Sequence, residues 1–297
     1  MSFESKSEEF KIVDPIVEAF PFMMEAANQH CHPTSDGGNG CFAYHRLWAY
    51  RRLLRPRAPT LPDVEHRVKW FRDLALEGES NKVLVAGTAD YRLYAQVLHA
   101  FRLVGIEPDV TVLDMCGAPL DINRWYAKNN NSVIRTVTSN IFAYATDEQY
   151  DAITTDLFLH RIPLKQHVKL LQLWKGLLRI GGKIITREFA CPTNVPRDQA
   201  KNVGRQKAPL SSFIAHADRE QLINLGITRE QLYEYAQSYA ISASEHEAGP
   251  LDELRKAFED CGFRIEELSL AKPDKLAEAI EQDASRVMYN ITASRLS

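Results

Sequence analysis

KVLVAG (82–87), VTVLD (110–114), SVIRTVTSN (132–140), YDAITTD (150–156) and LLRIGGKIITRE (177–188) are five apolar runs of strand length, separated by stretches with helical spacing. Strand and helix in strict alternation specify a parallel sheet joined by crossover helices. Ligands of such sheets settle outside the carboxyl ends of the strands. Four of the runs end there on a small or polar residue: Gly87, Asp114, Asn140 and Asp156. These four are expected along one rim.

In order and chemistry this rim resembles the class I S-adenosylmethionine-dependent methyltransferases, over roughly residues 81–297. Three segments carry the likeness. VLDMC ends the second strand on an acidic residue; YDAITTDLFLHRIP is similar to the family's fourth strand and the polar loop after it; LLRIGGKIITRE reads like the glycine turn leading into the fifth strand. Any one alone is weak, and together they are fairly specific. The resemblance implies an α/β Rossmann-like sheet, mostly parallel with an antiparallel last strand, and S-adenosylmethionine as cofactor. It implies that Asp114 accepts hydrogen bonds from the ribose hydroxyls, with Met115 beside it. Asn140 would meet the adenine amino group through its carbonyl oxygen, and Ile141 the adenine ring. Asn140 equally suits a turn.

The first loop departs from the family pattern. A GxGxG turn lets the backbone bend sharply and approach a cofactor closely, but here the segment reads Gly87-Thr88-Ala89-Asp90-Tyr91. Only the first glycine remains. Gly87, Thr88 and Ala89 are still expected to cradle the methionine portion of the cofactor, while Tyr91 is the largest change.

Material before the first strand and after the fifth completes the chain. Residues 1–80 read as a largely helical cap, interrupted by the polar, glycine-rich stretch from His32 to Gly40, and residues 81–297 as the methyltransferase-like domain. The segment CPTNVPRDQAKNVGRQKAP (191–209) reads as irregular structure. A helical insertion is expected over about residues 197–245, with Thr228 as an N-cap and Glu230 in the first turn of its second helix. GPLDELRKAFEDCGFRIEELSLA then gives a helix, a stop at Gly262 and a strand, and VMYNITASRL a final strand. In the resembled family such additions cover the acceptor. Methyl transfer is an in-line displacement that rewards alignment and exclusion of water, so a dedicated base is optional.

Candidates for that chemistry are His160 and Asp156. His160 could take a proton from a hydroxyl or amine, or simply pack at the strand end. Asp156 could contact the methionine amino group or the acceptor, or cap the following helix. Glu188, closing the fifth run, is expected either to bind a cationic or hydroxylated acceptor or to sit in an ion pair. Tyr44 and His45 are candidates to reach the acceptor from the N-terminal helices.

The N-terminal region also concentrates metal-ligating side chains: His30, Cys31, His32, Cys41 and His45. Such residues could complete a tetrahedral zinc site, but the spacing matches no standard finger and adjacent side chains diverge, so no metal is expected. HRLWAYRRLLRPR follows, with Arg46, Arg51, Arg52, Arg55 and Arg57 among Trp48 and Tyr50. Arginine with aromatics can grip nucleic acid; at helical spacing Leu47, Tyr50, Leu54 and Trp48 instead form a buried face with arginines on the solvated side. A net charge of −3 over 297 residues favours the second reading and a small-molecule partner.

Five cysteines at irregular spacings suggest no disulfide framework. No run approaches the ~20 apolar residues of a membrane span, and the polar, acidic N-terminus is unlike a signal peptide, which makes the cytoplasm the expected location. The expected activity is methyl transfer to a small-molecule acceptor. The altered glycine loop keeps open a non-methylating enzyme, or a non-catalytic binding or partner protein, on the same fold.

Overall fold

The computed structural model of the chain describes residues 9–32, 41–54, 60–62, 64–78, 81–191, 219–243, 249–271 and 287–297. Among the described residues three helices precede the sheet: α1 (Ile16–His30), α2 (Phe42–Leu54) and α3 (Glu65–Glu77). Then β1 (Lys82–Ala86), α4 (Arg92–Arg102), β2 (Asp109–Asp114), α5 (Gly117–Asn129), β3 (Ile134–Thr138), β4 (Tyr150–Thr154), α6 (Leu164–Leu177) and β5 (Leu178–Ala190) follow in order. Short 3₁₀ turns at Ile141–Ala143 and Leu159–Arg161 flank β4. The chain continues through α7 (Arg219–Asn224), α8 (Arg229–Ala243), α9 (Leu251–Asp260), β6 (Phe263–Leu270) and β7 (Val287–Arg295).

The strands form one sheet in the order β3-β2-β1-β4-β5-β7-β6. β1 to β5 pair in parallel, and β7 runs antiparallel between β5 and β6. The parallel sheet with an antiparallel last strand agrees with the sequence expectation. β1 and β4 are central and buried along nearly their whole length, which is why they read as continuous apolar runs. The glycine pair expected as a turn before the fifth strand lies inside β5, where the register against β4 shifts between Leu178 and Lys183. It is a bulge within one strand.

Alternating strand residues feed two cores. Val83, Val85, Val110 and Val112 join the layer made by α1, α3, α4 and α5, with Phe71 and Phe101 fully buried and their ring centroids 6.4 Å apart. Leu84, Ala86, Leu113, Ile153 and Ile184 join the opposite layer of α6 and α9, around Trp174 and Phe258. Burying each such ring contributes about 1.5–3 kcal/mol. The helices before β1 therefore share their core with the sheet.

A third, smaller cluster joins the two ends of the cap: Leu47 and Tyr50 of α2 pack on Leu222, Ile227, Leu232 and Ala236 around α7 and α8. Thr228 caps α8 as expected, its hydroxyl accepting from the Gln231 N–H while the Gln231 Oε1 accepts from Thr228 N. The part of the expected insertion before Arg219 lies outside the described residues.

Candidate functional site

At the tip of β1 the chain turns through Gly87 at φ +70°, with Gly87 N donating to Leu113 O at 2.9 Å. A Cβ there would stand 2.3 Å from the Phe158 ring, so both backbone conformation and space require glycine. The next two N–H groups on this rim converge on Asp114. Thr88 N donates to Oδ2 at 3.0 Å and Cys116 N to Oδ1 at 2.8 Å. Burial raises the Asp114 pKa, against the lowering effect of these backbone donors and of His45. Each carboxylate oxygen keeps an acceptor position. Met115 beside it is 70% exposed, an unusual setting for a thioether.

The departures in the glycine loop turn inward. Asp90 is buried and accepts from Trp48 Nε1 (2.7 Å), the Arg92 N–H (2.8 Å) and the Arg52 guanidinium. Arg52, with Trp48 and Arg92 contributing, holds the Asp90 carboxyl down at about 2 despite its burial. Tyr91, in the place of the third glycine, is fully buried, stacked on Tyr126 at 4.8 Å and bonded through its hydroxyl to Asp14. Arg52 bridges Asp14 and Asp90. The expectation that the arginines of α2 stand on a solvated face is therefore corrected for Arg46 and Arg52, which are buried in paired networks. Arg55 and Arg57 lie outside the described residues.

After β3, Asn140 is exposed, but its side-chain oxygen accepts from Phe142 N at 2.9 Å and caps the 3₁₀ turn. The turn role, one of the two open readings, is the one that geometry shows. Ile141 is 5% exposed and packs in the core with Leu84 and Leu113.

The β4 and β5 tips differ most from expectation. Asp156 is clamped by two guanidiniums: Arg67 of α3 at 2.8 Å on Oδ1, and Arg187 of β5 at 3.0 Å on Oδ1 and 3.1 Å on Oδ2. Burial opposes ionisation, yet Arg187 and then Arg67 hold the carboxyl far below the usual range. A carboxylate so paired is a poor proton acceptor. Leu157 follows at φ +53°, a left-handed conformation that costs a leucine about 1–3 kcal/mol. It places Phe158 over Gly87.

Glu188 is fully buried inside β5 and accepts from the N–H groups of Phe158 and Leu159 and the Thr186 hydroxyl, each at 3.1 Å. Burial pushes its pKa up to about 7, against those donors. Among the described residues it forms no ion pair; it staples the loop after β4. His160 turns from Asp156 toward the α6/α9 layer, where it lines a pocket of about 100 Å³ with His167, Phe189 and Glu253. Its ring packs edge-on to Phe189 at 5.6 Å. His160 and Asp156 thus face opposite layers and do not form a catalytic pair.

From the cap, Tyr44 reaches the loop after β4, where the Arg161 guanidinium lies 5.3 Å above its ring. His45 does not accompany it. It is buried with Cys31, Cys41 and Cys116, and the ligating atoms of the four lie within 4.8 Å of one another. His30 leaves that group to meet Asp121 at 2.6 Å, and His32 is exposed. Sequence reasoning overlooked Arg67, Phe158, Arg187 and Cys116. Cys116 alone carried a legible signal, standing two residues after the rim carboxylate in VLDMC.

Neither a protein-family model nor a curated protein sequence matches this chain. Solved structures do. A Galdieria sulphuraria protein assigned as a sarcosine dimethylglycine methyltransferase is 10% identical, with a TM-score of 0.53 over 80% of this chain and 86% of its own. A geranyl diphosphate methyltransferase in complex with S-adenosylmethionine is 13% identical, at 0.50 over 88% and 93%. Burkholderia thailandensis 1,6-didemethyltoxoflavin-N1-methyltransferase, with its substrate and S-adenosylhomocysteine bound, is also 13% identical, at 0.50 over 80% and 79%. With the strand order and the antiparallel β7, these likenesses establish that the chain has the Rossmann-like fold of the class I S-adenosylmethionine-dependent methyltransferases.

Proposed function

We propose that this protein binds S-adenosylmethionine across the β1 and β2 tips and transfers its methyl group to a small-molecule acceptor. The observation that carries the reading is Asp114, a rim carboxylate fixed by two backbone N–H groups, with an acceptor position left on each oxygen. A ribose diol matches such a carboxylate, and exposed Met115 offers an apolar surface beside it. Thr88 and Ala89 continue from the left-handed turn at Gly87 toward the methionine portion. Asn140 retains its amide nitrogen for the adenine edge. Ligands bound to the structural neighbours agree with this, among them S-adenosylmethionine on the geranyl diphosphate enzyme.

When bound, the cofactor supplies an electrophilic methyl on a sulfonium. The protein's part is to orient the acceptor in line and to keep water away. Tyr44 with Arg161, and the α2–α8 packing, form the cover for that purpose. With Asp156 locked by arginines, no rim carboxylate at β4 serves as a base; His160 reaches an acceptor only from the α6/α9 side. The methylated atom is thus one already nucleophilic without enzymic deprotonation, or one served by His160.

Phe158 supports a second reading. Its ring occupies the space over Gly87 where the methionine portion would lie, as a non-methylating or non-catalytic member of this fold would allow. Calorimetry with S-adenosylmethionine and S-adenosylhomocysteine separates the two. Micromolar binding lost in Asp114→Ala supports methyl transfer, whereas no heat at millimolar ligand rejects it.

A further inference from the structure

We propose that Cys31, Cys41, His45 and Cys116 form a closed, four-coordinate zinc site that clamps the N-terminal helices to the rim of the sheet.

The geometry points to one ion at a common centre. Cys116 Sγ lies 3.6 Å from both Cys31 Sγ and Cys41 Sγ, and 3.7 Å from His45 Nδ1. Zinc bonds of about 2.3 Å to sulfur and 2.0–2.1 Å to nitrogen, at tetrahedral angles, set ligand separations of roughly 3.4–3.8 Å. Three of the six edges fall in that range. A fourth, Cys31 Sγ to His45 Nδ1, is closer at 3.1 Å, a thiol–imidazole hydrogen-bond contact that a few tenths of an ångström would open to the tetrahedral value. Across the remaining two, from Cys41 to Cys31 and to His45, the ligating atoms lie within 4.8 Å.

Local structure explains why distant residues meet. Cys41 and His45 stand four apart, and His45 N donates to Cys41 O at 3.1 Å, so one helical turn puts both side chains on the same face. Cys31 ends α1 as its C-cap. Cys116 is the N-cap of α5, its sulfur accepting from Ala118 N at 3.5 Å. Cys31 and His45 are 1% and 7% exposed. Three thiolates and an imidazole are a donor set suited to zinc. Four protein ligands leave no position for water or substrate, so the ion is structural. A disulfide would pair two of the sulfurs and strand the third; Cys116 Sγ stands at the same 3.6 Å from both others, which favours shared ligation.

The clamp joins three helix ends, and Cys116 is the residue whose N–H holds Asp114. Zinc would thereby couple the cap to the rim.

The full chain, purified without a histidine tag and dialysed, is analysed for metal by mass spectrometry. About one zinc per chain is expected. Cys31→Ser and Cys116→Ser should lose most of it, while Cys191→Ser and Cys261→Ser keep it. Cobalt replacement should give intense tetrahedral d–d bands with thiolate charge transfer. If the serine variants fail to fold, Cys41→His, which trades one ligand for another, should retain metal and shift the charge-transfer bands. Three results would overturn the site: wild-type protein that takes up no zinc even when refolded with it, zinc content indifferent to Cys116, or a disulfide between any two of the three cysteines. Metal content is read without S-adenosylmethionine, so the outcome is independent of cofactor binding.

Discussion

β2 ends in Asp114 and Asp156 stands two residues past the end of β4, yet the two carboxylates are in opposite condition. Asp114 is held by neutral backbone donors and retains capacity for a ligand. Asp156 sits between two guanidiniums and has its charge spent within the protein. The same residue type at equivalent positions thus serves recognition in one case and architecture in the other. What distinguishes them is the charge of the group packed opposite, which no local sequence pattern records.

The strongest way to break this contrast is at Asp156. Asp156→Ala leaves Arg67 and Arg187 buried without their partner, a loss of about 3–5 kcal/mol expected from an uncompensated buried charge. Urea denaturation of the wild type and variant measures it, and a change under about 1 kcal/mol would mean that the knot is solvated.

Next in size is the staple beside it. The Glu188 pKa is about 7 in the folded protein against an ordinary 4.5. A raised folded value means stability is fullest below pH 4.5 and falls as pH rises through 7, by roughly 3 kcal/mol at 1.36 kcal/mol per unit. Glu188→Gln should remove that slope. His66 acts in the opposite sense: burial lowers it to about 4, so its contribution is full above pH 6.5 and lost as pH falls through 4. The difference between wild type and Glu188→Gln isolates the glutamate, and identical pH profiles would show that it does not titrate there.

At the β2 tip, Asp114→Ala should weaken S-adenosylhomocysteine binding by about 30–150-fold, the equivalent of losing charged hydrogen bonds of about 2–3 kcal/mol. Thermal stability should change less than in Asp156→Ala. Equal stability losses in the two variants would erase the distinction between them. The smallest effect belongs to Asn140→Ala. Loss of a cap costs about 1 kcal/mol, and ligand affinity should fall less than in Asp114→Ala; a greater fall would restore the adenine role in full.

Much of the fold was legible because it rests on local pattern. Buried parallel strands read as apolar runs, and Thr228, Gly262 and the β7 alternation marked their boundaries correctly. Positions on the rim were legible too, since strand ends follow from strand positions. Their chemistry was not. Glu188 looked like a strand end because β5 continues only two residues past it, and its donors come from the loop after β4. Asp156 depends on Arg67, 89 residues away, and the cysteine cluster on Cys116, 75 residues beyond Cys41. Long-range pairing of charge and sulfur leaves no period to read. Tyr91, the largest change in the glycine loop, is buried beneath that loop.

That tyrosine has a mechanical consequence. Through Tyr91, Asp14 and Arg52, the turn leaving the first strand is moored to a residue that precedes the first helix. Trimming the chain's opening segment would therefore slacken the turn from a distance. A shortened protein retaining every strand would still lack the tether that sets where its first loop rests.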